Sequence, residues 1–506
     1  MELINKADKT EGLAVFERPD IQNDLQILMS QSANRPINLV VTAVGLFKDL
    51  VIAITAIGSI YYYVGWLFAL PLIGSIIHAR ILINVQEEVW QESLGRSKNS
   101  RLMSYITSAC LNANTVKELK IWDCISNLGE KYTKFYLTIY ESMFKLRLKQ
   151  VLLPVLPIVI YACSNLLVIY QVINSIKTGA LGASILIFII QVFAYFHVAV
   201  NSFSEQLGWL SGHLLYFDKF FNFLDIKEEA IFQNKTFGKK ENKVTKGKIE
   251  FINVSFRYPG TENLALEDIS FVLNPKEKIA IVGKNGCGKS TLIKLLCGFY
   301  KPDSGTILID DTNISSLSPK TLRDKLSCVF QDYSSYPFAI EDNIIMFDQV
   351  KKGEENIDKA IKLAGAEFIY RLPNKKDSII GKQFDGVELS IGQMQKLAIA
   401  RSIYKDGYIY ILDEPTAAID PLAEKEIFED FAKITNNKTT IFVTHRLTSI
   451  AIADKVMLIE DGKITGFDKH QNLLKTNHGY NNMFKYQFSL MKKLSQNDDE
   501  FIFPSI

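Results

Sequence analysis

The 506-residue chain lacks a charge excess, with 57 Lys and Arg against 55 Asp and Glu. Bulk electrostatics therefore indicates no nucleic-acid partner. Charged residues from Glu2 to Glu11 precede any apolar run, which excludes a signal peptide of the usual form. The six cysteines form no close pairs in the sequence, so we expect reduced, mostly buried thiols, and neither a disulfide framework nor a zinc site. They are Cys110, Cys124, Cys163, Cys287, Cys297 and Cys328.

Long apolar runs are present, and all of them lie before residue 205. Runs 151–176 and 180–201 contain no Asp, Glu, Lys or Arg, whereas run 39–64 contains Lys48-Asp49 and run 66–85 contains His78 and Arg80. About 20 apolar residues suffice to cross a bilayer as a helix. We therefore predict an all-α transmembrane domain over residues 1–225 with four spans. The alternative for the first two runs is a pair of buried core helices.

The distribution of basic residues predicts the orientation of these spans. Ten Lys and Arg residues lie between residues 85 and 151, while the short connections at residue 65 and at 177–179 contain one. Because basic loops stay in the cytosol, we expect a multi-pass protein of the cell membrane with both termini cytoplasmic. The ten are Arg96, Lys98, Arg101, Lys117, Lys120, Lys131, Lys134, Lys145, Arg147 and Lys149.

The first candidate site in the second half of the sequence is a glycine-rich motif at residues 283–291. It follows the apolar run 278–282 and precedes the helical pattern 292–296, which is the strand–loop–helix context of a P-loop. Its backbone N–H groups would surround the phosphates of ATP, Lys289 would neutralise them, and Ser290 would hold Mg²⁺. The alternative is a glycine-rich turn with no ligand. The predicted ATP-binding residues are Gly283, Lys284, Asn285, Gly286, Cys287, Gly288, Lys289, Ser290 and Thr291.

Two further segments carry candidate chemistry. The strand 408–412 ends in Asp413, predicted to hold Mg²⁺, and in Glu414, predicted to polarise the attacking water. Ser390, Gly392 and Gln393 begin a helical run and would form a second anion site. Because one subunit does not need two phosphate sites for one nucleotide, we expect this second site to contact ATP bound to a neighbouring subunit.

Together with these motifs, Tyr258, Gln331, Asp420 and His445 complete an ordered set that resembles the nucleotide-binding domain of ABC transporters. The resemblance covers about residues 248–475. It implies that Tyr258 stacks on adenine, Gln331 contacts Mg²⁺, His445 is catalytic beside Glu414, and Asp420 lies at the dimer interface. One departure is Ile391, where the family usually has glycine.

The resemblance also implies a domain order. Residues 226–247 are a predicted linker, 248–490 an α/β P-loop NTPase domain of ABC type, and 491–506 a tail. The order resembles an ABC exporter half-transporter, working as a homodimer or heterodimer, and the run Gly381–Gly386 is similar to lantibiotic and peptide exporters. Residues 117–122 and 16–20 resemble intracellular loops that couple the two domains.

The family has six spans per half, and this sequence shows four. If residues 16–36 are the first intracellular loop, the preceding helix pair is absent, and we expect ATP hydrolysis with poor transport. The alternatives are a membrane-anchored ABC ATPase without a complete pathway and a soluble ABC-type ATPase. The transported cargo is not encoded in any readable motif.

Overall fold

A computed structural model describes residues 1–32, 34–95, 97–226, 231–232, 246–348, 353–413, 431, 433–444, 450 and 452–485. The chain divides into two compact units, one formed by Pro19–Ile226 and the other by Met1–Arg18 with Lys227–Ile506. Residues 1–18, which the sequence analysis grouped with the membrane spans, therefore pack with the α/β unit.

In the unit formed by residues 19–226, all of the described regular secondary structure is helical. Its long helices coincide with the apolar runs of the sequence. The first ten helices of the chain, of which the first two belong to the other unit, are α1 (Glu2–Lys9), α2 (Ala14–Glu17), α3 (Pro19–Gln31), α4 (Arg35–Val64), α5 (Ala69–Gly95), α6 (Ser97–Leu111), α7 (Ala113–Ile121), α8 (Ile125–Leu152), α9 (Val155–Lys177) and α10 (Ser184–Asp225).

Three helical stretches of the described residues are long and apolar enough to cross a membrane: Arg35–Val89, Ile125–Lys177 and Ser184–Asp225. The first of these contains both α4 and α5. A 3₁₀ turn over Gly65–Phe68 separates the two helices, and Gly65 there has a φ of +67°, a conformation that favours glycine. The predicted runs 39–64 and 66–85 thus correspond to two helices joined by a short turn.

A polar contact stands inside this helical unit at the Lys48-Asp49 pair. Asp49 is only 2% exposed, and its carboxylate accepts a hydrogen bond of 2.6 Å from Nε2 of Gln206 in α10. Lys48, with a side chain 63% exposed, lies 3.2 Å from the same carboxylate. The carboxylate within this predicted span is therefore paired, as a buried carboxylate requires.

The α/β unit contains two sheets. One has the strand order β2-β1-β4-β5 and is antiparallel, and the other has the order β10-β9-β3-β8-β7-β6 and is parallel except for β10. The strands are β1 (Ile249–Phe256), β2 (Leu266–Leu273), β3 (Lys278–Val282), β4 (Ser304–Ile309), β5 (Thr312–Asn313), β6 (Leu326–Val329), β7 (Ile409–Asp413), β8 (Thr439–Val443), β9 (Lys455–Glu460) and β10 (Lys463–Asp468).

Helices flank the six-stranded sheet, and strands β7 and β8 are buried at every position. Continuous apolar strands of this kind are typical of parallel sheets covered on both faces. This confirms the predicted fold class of an α-helical domain followed by an α/β domain. The described helices of this unit after β3 are α11 (Lys289–Leu296), α12 (Pro319–Arg323), α13 (Ile340–Ile345), α14 (Glu354–Leu363), α15 (Ile391–Lys405) and α16 (His470–Thr476).

Candidate functional site

The carboxyl ends of neighbouring parallel strands form one row at an edge of the six-stranded sheet. Ile281 of β3 pairs with Val443 of β8, and Val443 pairs in turn with Asp413 of β7. One step along, Leu412 of β7 pairs with Val329 of β6. Because ligands of open α/β sheets bind beyond the carboxyl ends of the strands, this row is where a site is expected.

Each predicted catalytic segment leaves the sheet from this row. The glycine-rich loop follows β3, Gln331 follows β6, and Asp413 ends β7. Thr444, 4% exposed, follows β8 and donates its backbone N–H to the carbonyl of Ile281 at 3.1 Å. The fold therefore brings together segments that lie far apart in the sequence, such as those at Ile281 and Thr444.

The glycine-rich loop needs glycine where it turns and where it approaches neighbouring backbone. Gly288 has a φ of +107°, and a Cβ placed on it would lie 2.7 Å from the carbonyl oxygen of Ala265. Gly286 has a φ of +79°. These positive φ angles let the chain turn sharply between β3 and α11 and point backbone N–H groups toward a phosphate.

Lys289 is held inside this loop. The side chain is 5% exposed, and its Nζ donates to the carbonyl oxygens of Gly283 at 3.0 Å and Lys284 at 2.9 Å. A buried ammonium held at the N-terminus of α11 is placed to neutralise phosphate oxygens. Cys287 contributes no charge here, because burial raises the pKa of its thiol.

The predicted adenine-stacking residue is anchored to the first turn of α11. Tyr258 Oη lies 3.0 Å from Oγ1 of Thr291, and its ring packs edge-on against Tyr300 with 5.4 Å between centroids. Nζ of Lys294 lies 5.5 Å from the centroid of the Tyr258 ring. Tyr258 therefore lies beside the helix that follows the glycine-rich loop.

The predicted metal ligands are oxygen donors of the kind that Mg²⁺ prefers. Ser290 lies in the first turn of α11, Asp413 is 5% exposed at the end of β7, and Gln331 follows β6. Mg²⁺ is usually bound by one or two carboxylates together with substrate phosphates, so a set with one protein carboxylate fits it. Among the described residues there is no group of three or more His, Cys, Asp or Glu that could hold a metal ion without phosphate ligands.

Ser390 forms the N-cap of α15. Its Oγ accepts the N–H of Gln393 at 3.2 Å, and Oε1 of Gln393 accepts the N–H of Ser390 at 2.9 Å, which is a complete capping box. Ile391, the departure from the family pattern, is 59% exposed, and its carbonyl accepts a hydrogen bond of 3.1 Å from Tyr333 Oη. The isoleucine side chain thus projects outward and leaves the helix start intact.

Three predicted site residues, Glu414, Asp420 and His445, lie outside the described residues. In the sequence, Glu414 follows Asp413 directly and His445 follows Thr444 directly. Their predicted roles, like those of the other site residues, stay predictions.

The N-terminal residues make a contact with the α/β unit that sequence reasoning did not identify. Oε2 of Glu11 accepts the backbone N–H groups of Ile231 at 3.0 Å and Phe232 at 3.1 Å. Leu13 donates its N–H to the carbonyl of Phe299 at 3.1 Å. No local pattern signals this arrangement, because the partners of Glu11 are about 220 residues away in the sequence.

This N-terminal contact continues to the nucleotide side through an aromatic residue. Tyr300 Oη donates to the carboxylate of Glu17, and Nζ of Lys294 lies 3.6 Å from the same carboxylate. Burial and the hydrogen bond to Glu17 raise the pKa of the Tyr300 phenol well above its usual range, so it stays a donor. Since Tyr300 also packs on Tyr258, helix α2 is linked to the predicted adenine contact.

Comparison with known proteins agrees with this geometry. The family model described as "ABC transporter" matches residues 266–417. The chain is 30% identical over 485 residues to the subtilin transport ATP-binding protein SpaT of Bacillus subtilis, covering 92% of this chain and 76% of that protein. It is 28% identical over 479 residues to the nisin transport ATP-binding protein NisT of Lactococcus lactis, covering 93% and 79%.

Two further likenesses differ in extent. An ATP-dependent lipid A-core flippase of Methylobacillus flagellatus is 39% identical over 252 residues, which is 50% of this chain and 43% of the flippase. A bacterial Atm1-family ABC exporter with ATP bound superimposes with a TM-score of 0.78 at 22% identity, over 96% of this chain and 83% of that one, and so shares the fold. The chain therefore belongs to the ABC transporter family, as an exporter-type chain in which a helical membrane domain is joined to an ATP-hydrolysing domain.

Proposed function

We propose that this transporter uses ATP to export a peptide, and that two half-transporters share each ATP between them. The observation that carries the ATP-dependent part is the row of strand ends, from which the P-loop, Gln331 and Asp413 all leave the same sheet edge. The dimer and the cargo are supported by separate observations.

The peptide cargo is supported by how far each likeness extends. The similarity to the subtilin and nisin transport proteins covers 92% and 93% of this chain, and so includes the membrane helices. The similarity to the lipid A-core flippase covers 50%. Because a cargo is recognised by the membrane helices, the likeness that includes them favours a peptide.

The proposed reaction divides its work among this chain's residues. Lys289 and the N–H groups of the glycine-rich loop bind the β- and γ-phosphates, and Tyr258 stacks on adenine. Ser290, Gln331 and Asp413 would hold Mg²⁺, which would supply positive charge to the transferred phosphoryl group. Glu414 accepts a proton from the attacking water, and His445 orients that water toward the γ-phosphate.

The proposed dimer follows from Ser390, Gly392 and Gln393. They stand at the start of α15, where N–H groups and the helix dipole favour an anion. The P-loop already provides such a site within the chain, so this second one is assigned to the ATP of the other half-transporter, with Asp420 at the same interface. A homodimer and a heterodimer satisfy this arrangement equally.

In the proposed orientation the protein spans the cell membrane, and both termini lie on the cytoplasmic side, where ATP binds. The ten basic residues between residues 85 and 151 support it. Single cysteines at Tyr62 and Thr178 should react with an impermeant maleimide added outside cells, and one at Lys120 should react only after permeabilisation. Labelling of Lys120→Cys in intact cells would contradict this orientation and indicate the opposite one.

Transport by purified protein tests the cargo. The chain is reconstituted in vesicles, ATP is added outside, and labelled nisin and labelled lipid A are compared as cargo. Because a chain with four spans is expected to transport poorly, the proposal predicts weak ATP-dependent accumulation of the peptide that is lost in Lys289→Ala, and no comparable movement of lipid A. ATP-dependent movement of lipid A without peptide accumulation would reject the peptide assignment.

A further inference from the structure

Two cysteines that have no role in the proposed ATP site lie side by side in the α/β unit. Sγ of Cys297, the residue that follows the end of α11, is 3.7 Å from Sγ of Cys328 in β6. Both are free thiols. The sequence separates them by 31 positions, so their proximity is a product of the fold.

The two thiols border open space that a small oxidant can enter. Both line a cavity of about 650 Å³, together with Arg323 and Lys405. Cys297 is 2% exposed, whereas Cys328 is half-buried. Neighbouring cations stabilise a developing thiolate, and access determines which sulfur an oxidant reaches first. We therefore expect an oxidant to reach the sulfur of Cys328 first.

The chemistry of Cys297 suits the second step of an oxidation. Its hydrogen bond with Cys328 and its burial raise the pKa of the Cys297 thiol well above the usual range. It therefore stays protonated until a sulfur partner beside it becomes electrophilic. This is the behaviour of a resolving cysteine next to a peroxide-sensitive one.

We propose that Cys297 and Cys328 form a reversible disulfide when the protein meets a peroxide, and that this bond slows ATP hydrolysis. The Cys328 thiolate attacks one oxygen of hydrogen peroxide, which breaks the O–O bond and leaves a sulfenic acid, and the released hydroxide becomes water with the proton of Cys328. Cys297 then attacks the Cys328 sulfur and displaces hydroxide, which takes the proton of Cys297. Two thiols are oxidised, one peroxide is reduced, and two waters are formed.

The disulfide acts on the ATP site through the two elements that it joins. A disulfide sets the sulfurs about 2.05 Å apart, so the two side chains, or the end of α11 and strand β6 that carry them, must shift, and the bond then ties the two elements together. Helix α11 begins with Lys289, and Gln331 follows Cys328 by three residues. Because a displacement of about 1 Å at a reacting group can cost about 10²-fold in rate, we expect oxidation to slow ATP hydrolysis by about 10- to 100-fold.

The test uses the full chain in lipid nanodiscs, treated with hydrogen peroxide and then with dithiothreitol. Peptide mapping by mass spectrometry should show a Cys297–Cys328 linkage after peroxide that disappears after reduction. ATP hydrolysis should fall and recover in parallel. Cys328→Ala should hydrolyse ATP as wild type does and resist peroxide, whereas Cys110→Ala, changed in α6 of the other unit, should stay sensitive.

The effect on hydrolysis rests on the proposed ATP site, whereas the linkage does not. Absence of the linked peptide at a peroxide dose that oxidises the half-buried Cys124, which lies outside the predicted spans, would overturn the proposal. So would a linked protein that hydrolyses ATP at the rate of the reduced one. A chain that forms the linkage but hydrolyses no ATP before oxidation would contradict the proposed function and leave the disulfide assignment intact.

Discussion

The predicted site residues divide into those that bind ATP and those that promote its hydrolysis. Lys289 belongs to the first group and Glu414 to the second. Glu414→Gln should keep ATP affinity and lose about 10²- to 10⁴-fold in turnover, because general-base assistance contributes that much. Equilibrium binding of a fluorescent ATP analogue and steady-state phosphate release measure the two quantities separately.

Lys289→Ala is the matched contrast. It removes a buried ammonium from the phosphate loop, and losing a hydrogen bond to a charged group costs about 1.5–3 kcal/mol, so ATP should bind about 10- to 100-fold more weakly. Lys320→Ala, an exposed change in α12, should leave both quantities unchanged. Turnover near wild type in Glu414→Gln would remove that residue from the catalytic role.

Ser390 combines a structural and a functional assignment that substitution can separate. Its hydroxyl caps α15, and Asp caps helices as well as Ser does. Ser390→Asp should therefore keep the free energy of unfolding within about 0.5 kcal/mol while its carboxylate repels the γ-phosphate and suppresses hydrolysis. Ser390→Ala should instead lose about 1 kcal/mol of stability.

Chemical denaturation and ATPase assays on the two Ser390 variants provide the comparison. If Ser390→Asp hydrolyses ATP as fast as the wild type, no phosphate approaches this helix start, and the role of Ser390 is confined to capping.

At the residue scale the sequence predicts motifs well and contacts between distant residues poorly. The P-loop is readable because its glycines, Lys289 and Ser290 are contiguous and flanked by strand and helix patterns. The link from Glu17 through Tyr300 to Tyr258 is not readable, because Glu17 and Tyr300 are 283 positions apart and no local pattern relates them.

Among the elements, the N-terminal segment gives the clearest structural prediction. Glu11 accepts two backbone N–H groups from Ile231 and Phe232, and Phe232 is fully buried in the core of the α/β unit. Glu11→Ala should leave these donors without their carboxylate and lower the free energy of unfolding by about 1–3 kcal/mol. Glu2→Ala, an exposed change in α1, is the control.

Thermal unfolding of both variants, followed at the melting transition of the ATP-binding unit in saturating ATP, measures this effect. An unchanged transition in Glu11→Ala would show that the N-terminal segment adds nothing to the stability of that unit.

The ends of helices could be predicted from hydropathy only where the apolar run and the helix end together. All four apolar runs lie mainly in helices, because a segment that crosses a bilayer must satisfy its backbone hydrogen bonds within itself. Helix α10, however, continues to Asp225, well past the predicted end at residue 201. The continuation contains Glu205, Asp218 and Lys219, so hydropathy could not reveal it, although backbone hydrogen bonding carries a helix onward through polar residues.

At the scale of the whole molecule, the central claim is that each ATP-binding site is formed by residues of two chains. A symmetric dimer contains two such sites, and each uses the P-loop of one chain and Ser390 of the other. Lys289→Ala and Ser390→Arg each inactivate both sites of a homodimer, but in a mixed dimer the two changes meet in one site and leave the other intact.

Mixed dimers carrying two different affinity tags, purified in tandem and assayed for ATP hydrolysis, test this claim most directly. The account predicts about half of wild-type activity for the Lys289→Ala and Ser390→Arg pair, since one of two equivalent sites survives. It predicts none for wild type paired with a chain carrying both changes. The reverse pattern, an inactive first pair and an active second, would show that each chain hydrolyses ATP within itself and would contradict the shared site.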